Sequence, residues 1–171
     1  MQKLCLFVLF AIFAISAFAQ KPDFTAPNMD GKVVKLSDLR GKIVVLNLWF
    51  INCPNCLSEI KELNQLVAEY KDNKEVVFIA PAASKKADLE AFLKKNPFSY
   101  QIIPNAARLI ISKFGTPDKS GNINVPFPMH YVLDREGNVV VKVEGTKGIA
   151  SVRSELKKQF ATKTAALKTS N

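Results

Sequence analysis

The stretch that decides the fold is Lys42-Ile43-Val44-Val45-Leu46-Asn47-Leu48-Trp49-Phe50-Ile51-Asn52-Cys53-Pro54-Asn55-Cys56. Its first half, Lys42–Trp49, is a nearly unbroken apolar run, the pattern of a strand buried on both faces. Its second half opens a helix from Pro54 to about Tyr70, with proline at a first-turn position where its missing N–H costs nothing. Cys53 and Cys56 therefore stand where a buried strand ends and a helix begins. Free N–H groups and the positive end of the helix dipole at that point favour a thiolate on Cys53. A larger thiolate fraction means a better nucleophile at neutral pH. Cys56 comes one turn later on the same face, placed to attack a mixed disulfide made by Cys53.

Other uses of a Cys-x-x-Cys pair fit less well. A bridge closing so small a loop restricts the unfolded chain little, so the pair is not a structural staple. Half of a zinc site would want a second pair, and the sequence offers only His130 in addition. Two inert core thiols remain an alternative, but the helix-start position argues for redox use.

Around this stretch the elements follow one another in a readable order. Val33–Lys35 predicts a short strand after the Asp30-Gly31 turn, and Ser37 can cap a single helical turn. Glu75–Ala80 reads as a second buried strand, and Ser84 as the opening of a helix that stops before Asn96-Pro97. Tyr100–Ile103 suggests a short strand and Asn105–Phe114 a helix closed by Gly115. Thr116–Val125, rich in Gly, Pro, Asn and Ser, reads as a loop. Met129–Asp134 and Asn138–Glu144 form an antiparallel hairpin across Arg135-Glu136-Gly137. Ser151–Phe160 is the last helix, and Thr162–Asn171 reads as a frayed, flexible tail. Strands and helices alternating first, with a hairpin late, indicate an α/β layer fold with a mixed sheet.

The N-terminus bears on compartment. Met1-Gln2-Lys3 precedes an apolar stretch of about 15 residues, Leu4 to Phe18, closed by Ala17-Phe18-Ala19. A basic start, an apolar centre and a small-x-small close make residues 1–19 a secretory signal peptide, cut after Ala19. An uncleaved N-terminal anchor is the alternative, although a membrane span takes ~20 residues. Cys5 falls too early to carry a lipid at the cleavage point. Residues 20–161 then form one domain. The formal charge of +9 is carried by scattered lysines. With no basic run interleaved with aromatics, nucleic acid is not an expected partner. Attraction to an anionic membrane surface or an acidic partner stays open.

Glu59 adds a second element of chemistry. At 100° per residue, Cys56, Ile60, Leu63 and Val67 share one helix face, while Ser58, Lys61, Glu62, Gln65 and Glu69 collect opposite. Glu59 falls between Leu63 and Leu66, one turn from Cys56. A carboxyl among apolar residues there can exchange a proton with the Cys56 thiol. The alternative is a rim residue whose carboxylate reaches water.

From Pro22 to about Phe160 the chain resembles the exported TlpA/ResA-like branch of the thioredoxin superfamily. The residues that carry this are Asp23-Phe24-Thr25-Ala26-Pro27, Asp30-Gly31-Lys32, Leu36-Ser37-Asp38-Leu39-Arg40-Gly41-Lys42 and Val45 through Cys56. The resemblance implies a thioredoxin-like fold, a mixed central sheet flanked by helices, with an N-terminal extension and a longer loop before the cis-proline strand. It implies that Glu59 tunes the active site. It also implies that Pro128, in Pro126-Phe127-Pro128-Met129-His130-Tyr131, is a cis-proline facing the cysteines. The expected activity is thiol–disulfide exchange in the periplasm or another exported location. Its expected direction is reduction of selected protein disulfides, with a membrane-borne electron donor, no bound cofactor and a monomeric protein. A disulfide donor of the same fold is the alternative direction.

The expected catalytic residues are thus Cys53, Cys56 and Glu59. Trp49, Pro54, Asn55, Phe127 and Pro128 are expected to form the substrate-facing groove. Three departures from the family pattern surround the thiols: Asn52 replaces an aromatic, Phe127 is bulky where a small residue is usual, and the Thr116–Val125 loop is long. A peroxidase of the peroxiredoxin kind would place Thr or Ser three residues before its reactive cysteine, where this chain has Phe50. A copper-binding module is the stronger rival, since Met129 and His130 follow Pro128 and suit a soft copper ion together with thiols. Copper carriers resembling this fold, however, space their cysteines by three residues rather than by Pro54 and Asn55 alone.

Overall fold

The computed structural model describes residues 21–169, so the expected signal peptide lies outside the described residues. In chain order the elements are β1 (Thr25–Pro27), β2 (Val33–Lys35), a 3-10 turn (Leu36–Leu39), β3 (Ile43–Leu48), α1 (Pro54–Glu69), β4 (Val76–Pro81), α2 (Lys86–Lys95), β5 (Gln101–Ile103), α3 (Ala107–Phe114), β6 (Thr116–Pro117), β7 (Ile123–Asn124), β8 (Met129–Leu133), β9 (Val139–Glu144) and α4 (Gly148–Thr169). Five strands make the main sheet in the order β5-β4-β3-β8-β9, with β3 in the middle and all six of its residues buried. β4 runs parallel to β3 and β5 parallel to β4, whereas β8 and β9 are antiparallel to their neighbours. This is the mixed α/β sheet that the apolar runs and the late hairpin indicate.

Alternation along β3 and β8 sorts the molecule into two layers. Ile43, Val45 and Trp49 face one side with Val132, and pack with Leu63 and Leu66 of α1, Leu89 of α2, and Val152 and Leu156 of α4. Val44, Leu46 and Leu48 face the other side with Met129, Tyr131 and Leu133. There they meet Ile110 and Phe114 of α3 and Phe24, Val34 and Leu36 of the N-terminal extension. The extension is therefore part of the core, a β1–β2 ribbon followed by a 3-10 turn whose Leu36 is wholly buried. The β8–β9 turn is closed by Gly137 at φ 80°, with Asp134 Oδ1 accepting from the Asn138 N–H.

Several local expectations are corrected. Thr116–Val125 is not a plain loop: β6 and β7 pair within it as a small antiparallel ribbon, too short to leave a periodic signal in sequence. The backbone stays helical through Thr169, where a frayed tail is expected from Thr162, and α4 begins at Gly148 rather than Ser151. Ser37 does not cap the 3-10 turn. It lies inside the turn, its hydroxyl is buried without a partner, and its N–H donates to Asp23 Oδ1. Ser84 does not cap α2 either, because that helix starts at Lys86, whose N–H donates to Asn105 Oδ1 at 3.2 Å.

Two buried tyrosines give the fold an alkaline limit. Burial pushes the Tyr131 hydroxyl up to about 12. Tyr100 is raised further, by burial first and then by the charge of Glu59. In both cases the folded state holds its proton more tightly than the unfolded chain. Their contribution is therefore complete below the ordinary tyrosine value of 10.0; that of Tyr131 is lost as pH rises through about 12, and that of Tyr100 at higher pH still. The urea midpoint should fall steeply above pH ~10, and Tyr131→Phe should flatten that fall. A midpoint independent of pH across this window would refute the assignment.

Candidate active site

Where β3 ends, the chain must turn out of the sheet and into α1. Its anchors come from the neighbouring strand: the Trp49 N–H donates to Pro81 O, the Ala83 N–H to Trp49 O, and the Ile51 N–H to Ser84 Oγ at 3.0 Å. Ser84 thus serves the cysteine loop rather than a helix cap. Cys53 takes the N-cap position of α1 in an extended conformation, with Pro54 as the first helical residue. Its Sγ accepts from the Cys56 N–H at 3.2 Å, in the manner of a capping oxygen. The two cysteines form a disulfide with Cα atoms 5.2 Å apart. Cys53 is 5% exposed and Cys56 1%, so the first cysteine is the less enclosed of the two buried residues. Pro54 and Asn55 between them are exposed.

The opposite wall comes from the segment before β8. The Phe127–Pro128 peptide is cis, as the family pattern implies for this position. Pro128 is buried and Phe127 half-buried, its ring edge-on to Phe50 at 5.2 Å between centroids. Phe50, three residues before Cys53, thus packs against a residue of this wall. Trp49 is not in the groove. It is 1% exposed, 5.2 Å from Phe98 and 5.9 Å from Phe92 between centroids. The reason is alternation: Trp49 continues the face of Ile43 and Val45 into the α1–α2 layer. It belongs to the core.

Glu59 is 3% exposed, which rules out the rim alternative. Its Oε1 accepts from Asn47 Nδ2 at 2.9 Å, and its Oε2 lies 3.3 Å from His130 Nε2 without the alignment of a hydrogen bond. Asn47 Nδ2 also lies 3.3 Å from His130 Nδ1. Asn47 and His130 are direct register partners across β3 and β8, and both face α1. A buried polar trio therefore lies under the helix that carries the cysteines. Asn47 and His130 were not among the residues that sequence reading assigned to the site. Their signal is a single polar residue in each of two apolar strands.

The same alternation bears on copper. His130 is directed to Asn47 and Glu59, whereas Met129 packs in the other layer with Leu48, Phe114 and Tyr131. The two residues that suggested a soft-metal site stand on opposite faces of the sheet. Among the described residues no group of three or more His, Cys, Asp or Glu is gathered to hold a metal ion.

A cysteine pair at the start of the first long helix, a buried carboxyl behind it and a cis-proline wall, all on a mixed sheet, define a thioredoxin-like thiol–disulfide oxidoreductase. Comparison with known proteins agrees. Residues 19–142 match the AhpC/TSA family, and the chain belongs to that family. It is similar to the thiol-disulfide oxidoreductase ResA of Bacillus thuringiensis subsp. konkukian, 24% identical over 139 residues, covering 81% of this chain and 76% of the relative. ResA of Bacillus subtilis is 26% identical over 140 residues, covering 80% of this chain and 74% of the relative. Among solved structures it is similar to a thiol:disulfide interchange protein of the thioredoxin family from Chlorobium tepidum. That match has a TM-score of 0.67 at 24% identity, covering 81% of this chain and 93% of the other. The TlpA/ResA-like resemblance read from the motifs thus holds.

Proposed function

We propose that this protein is an exported reductant of selected protein disulfides, with Cys53 as the attacking sulfur and Cys56 as the resolving one. The observation that carries this reading is the asymmetry of the pair: Cys53 caps α1 and is the more accessible, while Cys56 is enclosed one turn into the helix. In the reduced protein the Cys53 thiolate attacks a partner disulfide and expels one partner sulfur as a thiolate. Cys56 then loses its proton to Glu59 and attacks Cys53. This closes the intramolecular disulfide and releases the second partner sulfur, so two electrons pass to the partner. The exposed Pro54 and Asn55, with Phe127 and Pro128 opposite, form the face that meets the partner chain.

Export rests on the leader pattern of residues 1–19, and no helix among the described residues is long and apolar enough to cross a membrane. Reduction as the direction is supported by the resemblance to the TlpA/ResA-like branch and by the carboxyl placed behind Cys56. A membrane-borne donor would return the pair to the dithiol, and the protein acts as a monomer. The partner is a protein disulfide, and the dithiol itself is the redox group.

The redox potential tests the direction. Thioredoxin-like pairs span about −270 mV in reductants to about −120 mV in strong oxidants, roughly 7 kcal/mol for two electrons. Equilibration of Cys53–Cys56 against a dithiothreitol or glutathione series should give a value in the reducing half of that range. A value near the oxidising end would make the protein a disulfide donor instead.

A further inference from the structure

The proposed cycle needs Glu59 as a base, and the structure places two nitrogen-bearing side chains beside that carboxyl rather than one. Asn47 is the first, donating from Nδ2 to Oε1 at 2.9 Å. The same amide nitrogen lies 3.3 Å from His130 Nδ1. An amide nitrogen can only donate, so Nδ1 is the accepting nitrogen of the ring and the ring hydrogen sits on Nε2. Nε2 lies 3.3 Å from Glu59 Oε2, within ion-pair distance but not aligned as a hydrogen bond. Oε2 and Nε2 are both buried, neither has a hydrogen-bond partner among the described residues, and the two lie within ion-pair distance of each other.

We propose that His130 is a positioning residue for the thiol chemistry: the N–H dipole of its Nε2, 3.3 Å from Oε2, tunes the Glu59 carboxylate that takes the proton of Cys56. The inference rests on the proposed redox role of the cysteine pair. In the resolving step the Cys56 S–H proton moves to Glu59, the freed electron pair of Cys56 forms the bond to Cys53 Sγ, and the bond from Cys53 to the partner breaks. His130 gives up no proton in this step. Its donor stabilises the charged form of Glu59 before the transfer and thereby sets how readily the proton is accepted. The surroundings are built for this ring. A Cβ on Gly148, the first residue of α4, would collide with His130 Cδ2.

Few other charges face the trio. From β9, Val143 pairs with His130 in the sheet register. From the segment before β5, the Tyr100 hydroxyl feels the Glu59 charge and stays protonated. From α1 come the cysteines themselves. Glu62 and Glu69 of that helix are engaged by Arg153 of α4, and Glu155 of α4 by Lys158 and Gln159.

The test is the pH dependence of the Cys53–Cys56 potential, with the Cβ NMR shift of Cys56 followed in the reduced protein. His130→Leu removes the donor and should move the acidic break of both profiles upward by about one pH unit, tenfold in proton affinity. His130→Gln keeps an N–H donor that does not titrate and should restore the wild-type position. In a Glu59→Gln background, His130→Leu should have no further effect. Superimposable profiles for wild type and His130→Leu, or a His130→Gln profile displaced as far as that of His130→Leu, would overturn the proposal. If His130→Leu does not fold, Gly148→Ala, which displaces the ring while keeping every polar group, decides in its place: an unmoved break overturns the proposal. A wild-type protein that exchanges no disulfides at all would instead refute the proposed function on which this inference depends.

Discussion

Cys53→Ser should abolish disulfide exchange, whereas Cys56→Ser should leave attack intact and accumulate stable mixed disulfides with partner proteins. The contrast follows from position. Cys53 sits at the N-cap of α1, where its sulfur accepts the Cys56 N–H and where the helix dipole favours negative charge. Cys56 is almost wholly enclosed and cannot be reached by a partner, although it can reach Cys53. Loss of the first sulfur removes the nucleophile. Loss of the second removes only the step that releases the partner. Limiting alkylation of the reduced protein gives the independent measurement, with Cys53 expected to be labelled first. Preferential labelling of Cys56 would reverse the roles of attacker and resolver.

Trp49→Ala should cost about 3–5 kcal/mol of folding stability, the range for removing a large aromatic from a packed core. The ring is 1% exposed and packs against Phe92 of α2 and against Phe98, which in turn packs on Tyr100. Its removal would leave a cavity between the cysteine loop and α2. Urea unfolding with the disulfide intact measures the effect. A loss below ~1 kcal/mol, together with a large drop in exchange rate, would return Trp49 to the substrate groove where sequence reasoning put it. The indole N–H is buried without a partner. Trp49→Phe, which deletes that orphaned donor, should therefore be milder than the alanine variant.

What could be read from the sequence was whatever depends on runs and spacing. The β3 run, the Cys53–Cys56 position at the helix start and the burial of Glu59 on the α1 wheel are local patterns, and the fold carries them through. What could not be read depends on which residues meet across the chain. The N–H at the start of α2 is satisfied by Asn105, 19 positions away, so the nearby Ser84 looked like the cap and was not. Trp49 looked like a groove residue because it adjoins the active loop, yet the parity of β3 turns it into the core. Met129 and His130 are adjacent in sequence and fall in opposite layers for the same reason. Asn47 and His130 are 83 positions apart and become neighbours only through the β3–β8 register.

That register has an evolutionary consequence. Because Asn47 and His130 are opposed on adjacent strands and Glu59 faces both, these three positions are not free to drift separately. A lineage that replaces His130 with an apolar residue leaves an Asn47 amide hydrogen unanswered, at a cost of ~1–3 kcal/mol, and takes the ring nitrogen away from the unpaired Glu59 Oε2. A change at Glu59 or Asn47 should then follow or precede it. Relatives of this chain should accordingly show the trio inherited as a block: Asn, Glu and His together, or a different matched set. Mixed combinations should be rare even where the cysteines are retained.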